Sequence, residues 1–331
     1  MAKVRHESAW YPLEPGETVL DGLLRQGVHV PHACRAGACQ SCLMRATSGA
    51  VPEAAQVGLK DTLKARGYFL ACACRPQAGT ALEVAGASEL RVPARIVDLE
   101  SLSGDVVAVR LEVEAPFDYR AGQYVTVVRE DGLARSYSLA SLPREDRLEL
   151  HVRLVPGGAM SGWFARDVRP GERVHVQGPA GDCFYVPGQP EAPLLLAGTG
   201  TGLAPLYGIV RDALEAGHTG PIHLFHGALE PRGLYLVDAL RALAARHPNL
   251  HYRPLVLAGG DGDVEEGPLE ARILASLPKR PVGWRAFLCG NPEAVLSLRK
   301  KLFLTGFSLK DIHADAFLPS TPRAGPVAGA A

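Results

Sequence analysis

The chain has 331 residues, more than one compact core accommodates, so two or three domains are expected. Hydrophobic residues make up 47% and charged residues 21%, a balance that drives burial and excludes wholesale disorder. With 35 basic and 35 acidic side chains the formal charge is zero, which removes the electrostatic argument for a nucleic acid or an anionic membrane as partner. Met1 to Glu7 lacks the apolar core of a signal peptide, and no apolar run approaches membrane-spanning length. Four of the seven cysteines fall in one constellation and Cys183 and Cys289 stand isolated, which fits a reducing cytosol better than a disulfide scaffold. A cytoplasmic protein is therefore expected.

In chain order, Pro15-Gly16-Glu17 reads as a turn and Thr18 as the cap of a helix whose apolar face is Val19, Leu20, Leu23 and Leu24, ending at Gly27. The cysteine loop Pro31 to Cys42 follows, then a short strand Leu43 to Ala46, a polar stretch, Gly67 to Leu70, and a closing strand Thr80 to Val84. Cys34, Cys39, Cys42 and Cys72 are separated by four, two and 29 residues, the plant-type [2Fe-2S] pattern. Gly37, between the first two ligands, relieves a loop that must aim thiolates and N–H groups at one small cluster. Zinc favours paired Cys-x2-4-Cys knuckles and disulfide frameworks favour small secreted chains, so both are weaker readings. Cys74 is a competing ligand, but the Leu70-Ala71-Cys72 context favours Cys72. Residues 1–87 resemble the β-grasp ferredoxin fold, with Ala85 to Ser88 as a linker.

From Val92 the pattern turns to alternating strands, Ala94–Leu99, Val106–Val113, Tyr124–Val128 and Leu148–Val155, which argue a small antiparallel barrel over residues 89–189. Arg135-Ser136-Tyr137-Ser138 lies within it: an arginine suits a phosphate, an aromatic two residues on suits a flat ring, and a serine suits the ring's edge. Together with Ala121-Gly122-Gln123-Tyr124 and Gly158-Ala159-Met160-Ser161, this string resembles the flavin-binding barrel of the ferredoxin–NAD(P) reductase family. The resemblance implies that Arg135 meets the flavin phosphate, Tyr137 lies against the isoalloxazine and Ser138 approaches its N5, with Ser136 beside them. Gly158 to Ser161 would open a short helix whose free N–H groups suit a pyrophosphate, hence FAD in preference to FMN.

After Pro193 the pattern becomes strand–helix: Leu194–Ala197, Ile222–His226, Tyr252–Leu257 and Arg285–Cys289 alternate with helical stretches opening at Gly198, near Leu234, at Pro268 and at Pro292, an open parallel α/β sheet over residues 190–331. Gly198-Thr199-Gly200-Thr201-Gly202 sits at a strand–helix turn, the context of a dinucleotide loop, although it is not the full fingerprint. Cys289-Gly290-Asn291-Pro292 ends a strand, where open sheets bind ligands. In the reductase family the Cys-Gly-x-Pro motif implies that Cys289 borders the nicotinamide and that Gly290 admits the ring. The closing segment resembles that of oxygenase reductases and makes Asp315 and Phe317 candidates near flavin and nicotinamide. Glu230 favours a free ribose hydroxyl and hence NADH over NADPH, although Arg232 offers a phosphate partner. Residues 319–331 are expected to form a mobile tail.

The three segments in this order resemble the reductase components of multicomponent oxygenases. The resemblance implies electron flow from NADH through FAD and the [2Fe-2S] cluster to a terminal oxygenase or a separate ferredoxin, docking near the cluster loop. A deoxysugar dehydrase is an alternative acceptor. A relay subunit without catalysis is a further alternative, against which the nucleotide motifs argue.

Overall fold

A computed structural model of the protein describes residues 1–318, and the expected tail at 319–331 lies outside them. The described residues divide into two compact units. One comprises Met1–Arg91, Thr126–Ser136 and Leu318; the other comprises Val92–Val125 and Tyr137–Phe317.

In the first unit, strands β1 (Ala2–His6), β2 (Ala9–Leu13), β3 (Leu43–Ser48), β4 (Tyr68–Leu70) and β5 (Ala81–Gly86) form a sheet in the order β2-β1-β5-β3-β4. β1 and β5 are parallel and the other pairs antiparallel, which is the β-grasp arrangement. Helix α1 (Val19–Arg25) is capped as the sequence predicts, Thr18 Oγ1 accepting the Asp21 N–H at 3.0 Å. Its Leu20 and Leu23 are fully buried in one core with Val4, Phe69 and Leu82. A second helix, α2 (Asp61–Ala65), occupies the stretch read only as polar. The β1–β2 hairpin is also new to the sequence reading. Its strands are five residues each, β2 carries Pro12, and a prolyl residue survives there because β2 is an edge strand.

The second sheet contains β6 (Arg91–Ser101), β7 (Val106–Val113), β8 (Tyr124–Val128), β9 (Ala134–Ser138), β10 (Leu148–Arg153) and β11 (Arg173–Ala180), in the order β10-β7-β6-β11-β8-β9. Leu139, just past β9, bridges Leu150 in β10, and the Ala140 N–H donates to the Glu149 carbonyl at 2.9 Å. The two edges of the sheet thus meet and the barrel curls closed. Helix α3 (Ala159–Arg166) follows β10.

The third sheet is parallel throughout: β12 (Leu194–Thr199), β13 (Ile222–Ala228), β14 (Leu250–Val256), the two-residue β15 (Glu265–Glu266), β16 (Arg285–Gly290) and β17 (Ile312–Ala316), in the order β15-β14-β13-β12-β16-β17. Helices α4 (Leu203–Glu215) and α5 (Val237–Arg246) build the core on one face with Leu196, Leu224 and Phe287. α6 (Leu269–Ser276) and α7 (Pro292–Thr305) build the other with Ala197, Phe225 and Leu288. The chain winds outward from β12 to β15 and returns to β16, so the order reverses between β12 and β16. Ligands of open sheets bind at such a switch point.

Candidate functional site

The four expected sulfurs converge two by two: Cys34 hydrogen-bonds Cys39, and Cys42 hydrogen-bonds Cys72. Within each pair the hydrogen bond draws Cys34 down to about 5 and lowers Cys72, while the same bond and burial push Cys39 and Cys42 up. Among the described residues no three metal-ligating side chains converge on a single-ion point. Thiols set in two pairs fit a two-iron centre in which each iron takes two thiolates. The loop aims N–H groups at the sulfur, Ala36 and Cys39 both donating to Cys34 Sγ at 3.4 Å. Gly37 has φ +75°, and Arg35 and Gln40 share the left-handed region, where non-glycine residues are strained. Cys74 is fully buried, and burial alone pushes its thiol up to about 12. All seven cysteines are free thiols.

Arg135 and Ser136 belong to the first unit. The Arg135 guanidinium meets only carbonyl oxygens, Ala134 at 2.7 Å and His32 at 3.5 Å, and no carboxylate among the described residues, so its charge suits a phosphate. The Ser136 hydroxyl donates to the Cys39 carbonyl at 2.9 Å, so the structure gives it a partner in the cluster loop rather than an open site.

In the second unit the Tyr137 ring stands edge-on to Phe164 of α3, with centroids 6.0 Å apart. At the start of α3, Gly158 leaves no room for a Cβ, which would lie 2.4 Å from Ser161 Oγ. The Ser161 hydroxyl accepts the Val155 N–H at 3.1 Å and braces the turn, and no side chain caps the helix, so the first-turn N–H groups of Ala159, Met160 and Ser161 suit an anion.

At the switch point two glycine-bearing turns interlock. A Cβ on Gly202 would lie 2.2 Å from the Cys289 carbonyl oxygen, one on Gly198 2.9 Å from the Gly202 carbonyl, and one on Gly290, at φ +119°, 2.5 Å from Thr199 Oγ1. Thr199 Oγ1 accepts the Asn291 N–H at 2.8 Å and joins the turns. The expected helix at Gly198 begins later: Gly200–Gly202, including Thr201, form a 3-10 turn, and α4 starts at Leu203, because Gly200 has φ +53°. The Asn291 side chain caps α7, Oδ1 accepting the Ala294 N–H at 3.1 Å, with Pro292 at the first helical position.

Three further side chains meet here. Asp315 in β17 pairs in register with Cys289, and Ser138 from the barrel hydrogen-bonds its carboxylate. Burial raises Asp315 to about 6 against the pull of Ser138. The Phe317 N–H donates to the Gly290 carbonyl at 2.8 Å, and its ring packs on the core that contains Cys289. Glu230 and Arg232, read from the sequence as competitors, form an ion pair at 2.9 Å. The sequence reading missed Cys183, whose sulfur lies 3.4 Å from Cys289 Sγ although 106 residues separate them.

Residues 6–77 match the 2Fe-2S iron-sulfur cluster binding domain, 93–185 the oxidoreductase FAD-binding domain and 196–299 the oxidoreductase NAD-binding domain. The chain is 34% identical over 317 residues to the ferredoxin–NAD(P)(+) reductase component of the naphthalene 1,2-dioxygenase system of Pseudomonas putida, covering 93% of this chain and 95% of that one. It is 36% identical over 324 residues to the reductase subunit of an aromatic O-demethylase from an Amycolatopsis species, covering 93% and 96%. The crystal structure of an Amycolatopsis cytochrome P450 reductase superposes with a TM-score of 0.70 at 32% identity, over 97% of this chain and 100% of that one. No helix of the described residues is long and apolar enough to cross a membrane. With paired thiols, an interlocked dinucleotide turn and this full-length likeness, the chain belongs to the [2Fe-2S]-, FAD- and NAD(H)-binding reductase components that supply electrons to oxygenase systems.

Proposed function

We propose that three modules, residues 1–87, 89–189 and 190–331, divide the work of a cytoplasmic, NADH-selective reductase whose acceptor is a terminal oxygenase or its ferredoxin. The observation that carries this reading is the convergence of Ser138, Asp315 and Cys289, which joins the flavin motif of the barrel to the nucleotide motif of the parallel sheet. Bound FAD and the cluster together supply a two-electron acceptor that hands electrons on singly.

The chain's own residues do the rest. Gly198, Gly202 and Gly290 clear the approach of a dinucleotide backbone, and Thr199 fixes the two turns against each other. Phe317, tethered through its N–H to Gly290, covers the Cys289 pocket. Tyr137 offers its ring to the isoalloxazine, Arg135 its charge to the flavin phosphate, and the start of α3 its N–H groups to the pyrophosphate. Ser138 and Asp315 hold a proton at the edge of the ring, since Asp315 retains one up to about pH 6. Cys34, Cys39, Cys42 and Cys72 hold the cluster, and the acceptor docks on the surrounding loop. Glu230 faces the ribose, which favours NADH.

The test replaces a ligand. Cys34→Ser should abolish electron delivery to a one-electron protein acceptor while NADH-driven ferricyanide reduction continues. If delivery survives, the cluster assignment is wrong. Assays with a partner oxygenase and with a deoxysugar dehydrase then identify the acceptor, and turnover with the dehydrase alone would overturn the oxygenase assignment.

A further inference from the structure

Cys183 follows β11 in a turn that three residues of the Ala121-Gly122-Gln123-Tyr124 string brace. Gly122, at φ +94°, lies so close that a Cβ would come within 2.4 Å of the Cys183 carbonyl oxygen. The buried Gln123 amide donates to the Gly181 carbonyl at 3.1 Å, and the Tyr124 ring packs on Gly181, where a Cβ would lie 2.9 Å from it. A turn held at these points has little freedom, and neither has the thiol it carries. That thiol is 3% exposed and sits 3.4 Å from Cys289 Sγ, itself 1% exposed. Cys289 also pairs in register with Asp315 of β17. The Cys289 backbone is thus fixed by β17, and its sulfur is met by the turn after β11.

We propose that Cys183 is a positioning residue for hydride transfer: its sulfur, fixed by the braced turn, holds the Cys289 thiol in one rotamer through a thiol–thiol hydrogen bond. The proposal rests on the reading that Cys289 borders the nicotinamide. A cysteine side chain has a single heavy-atom rotor and few partners of its own, so a second sulfur at hydrogen-bond distance fixes χ1 where the apolar surroundings would not. The reacting carbon of a nicotinamide must lie within about 3–3.5 Å of its acceptor, and small displacements there cost large factors in rate. The expected signature of lost positioning is therefore a slower chemical step with nucleotide affinity retained.

Two independent measurements test this on the full-length protein carrying its cofactors. In the first, Raman spectroscopy reads S–H stretching. The four cluster ligands carry no S–H, so the bands belong to Cys74, Cys183 and Cys289. The wild type should show a band lowered by hydrogen bonding that is absent from both Cys183→Ala and Cys289→Ala. Persistence of that band in Cys183→Ala would overturn the proposal.

In the second, stopped-flow spectroscopy measures the limiting rate of reduction by NADH alongside nucleotide affinity. Cys183→Ala should lower the limiting rate by about tenfold with the NADH dissociation constant within about twofold, and Cys183→Ser, which keeps a hydrogen-bonding atom, should restore most of the rate. If Cys289→Ala is slowed and Cys183→Ala is not, the role of Cys289 stands and that of Cys183 falls. If Cys289→Ala is as fast as the wild type, the reading of Cys289 itself falls. Should Cys183→Ala fail to fold, the comparison moves to Cys183→Ser and Cys183→Val; equal rates in these two would overturn the proposal, since valine fills the space without hydrogen-bonding.

Discussion

Two acidic residues of the proposed nucleotide site act in opposite ways. Glu230 is paired with Arg232 at 2.9 Å, but the two side chains are 55% and 86% exposed, and ion pairs so open contribute little to stability. Glu230→Gln should therefore fold as well as the wild type while freeing Arg232 for a 2′-phosphate. The ratio of kcat/KM for NADPH to that for NADH should rise about tenfold, a change of about 1.4 kcal/mol; steady-state kinetics with both nucleotides checks it. Asp315, in contrast, is paired with a neutral serine in an apolar setting, and burial raises it from its ordinary 3.8 to about 6. Between those values the folded state keeps a proton that the unfolded state has released. Stability therefore falls as pH rises through this window, and the loss is complete above about pH 6, roughly 3 kcal/mol for two pH units. Asp315→Asn cannot ionise, so its melting temperature relative to the wild type should climb between pH 4 and pH 6.5. A constant offset across that range would remove the carboxyl from this role.

At the level of elements, the barrel and the parallel sheet are tied by a buried polar chain. Arg110 in β7 donates to Glu149 at 2.7 Å, the other oxygen of Glu149 meets His151 Nε2 at 3.0 Å, and His151 Nδ1 meets the Tyr235 hydroxyl, just before α5, at 3.1 Å. Although burial opposes it, the partnership with His151 and Arg110 holds Glu149 down to about 2. That contribution is present above pH 4.5 and is lost as pH falls toward 2. Tyr235→Phe leaves a buried imidazole nitrogen without its partner and should cost about 1–3 kcal/mol; a thermal melt at neutral pH measures it. None of this chain was legible in the sequence, because its links join β7, β10 and the approach to α5 across up to 84 residues. What the sequence did reveal was local. The cap at Thr18, the strand Val106–Val113 and the helix after Pro292 each follow from short-range pattern, and the cysteine motif follows from three members close in the chain, with Cys72 found by its spacing. β11, with alternating Val174 and Val176 buried, carries a readable period, whereas the approach of Cys183 to Cys289 leaves no local trace.

At the scale of the whole molecule, the chain couples a donor that gives two electrons at once to an outlet that takes one. In the proposed division of labour the four paired thiols hold the outlet, the barrel strand through Tyr137 and Ser138 serves the flavin, and the switch point between β12 and β16 receives the nucleotide. This division sets a stoichiometry. A protein with one flavin and one [2Fe-2S] cluster takes up three electrons, and NADH gives two, so anaerobic titration should reach full reduction at about 1.5 equivalents of NADH per chain. Cys34→Ser, stripped of its cluster, should reach it at about 1.0 equivalent, with the flavin absorbance bleached and the cluster absorbance absent from the start. The two end points separate a failure at the outlet from a failure at the inlet. A variant damaged at Gly202, where any side chain strikes the Cys289 carbonyl, should keep the capacity of the wild type for dithionite yet take up NADH slowly, because only the entry of the nucleotide is blocked. An end point of 1.0 equivalent in the wild type, with cluster iron present by analysis, would mean that electrons do not pass from flavin to cluster within the chain.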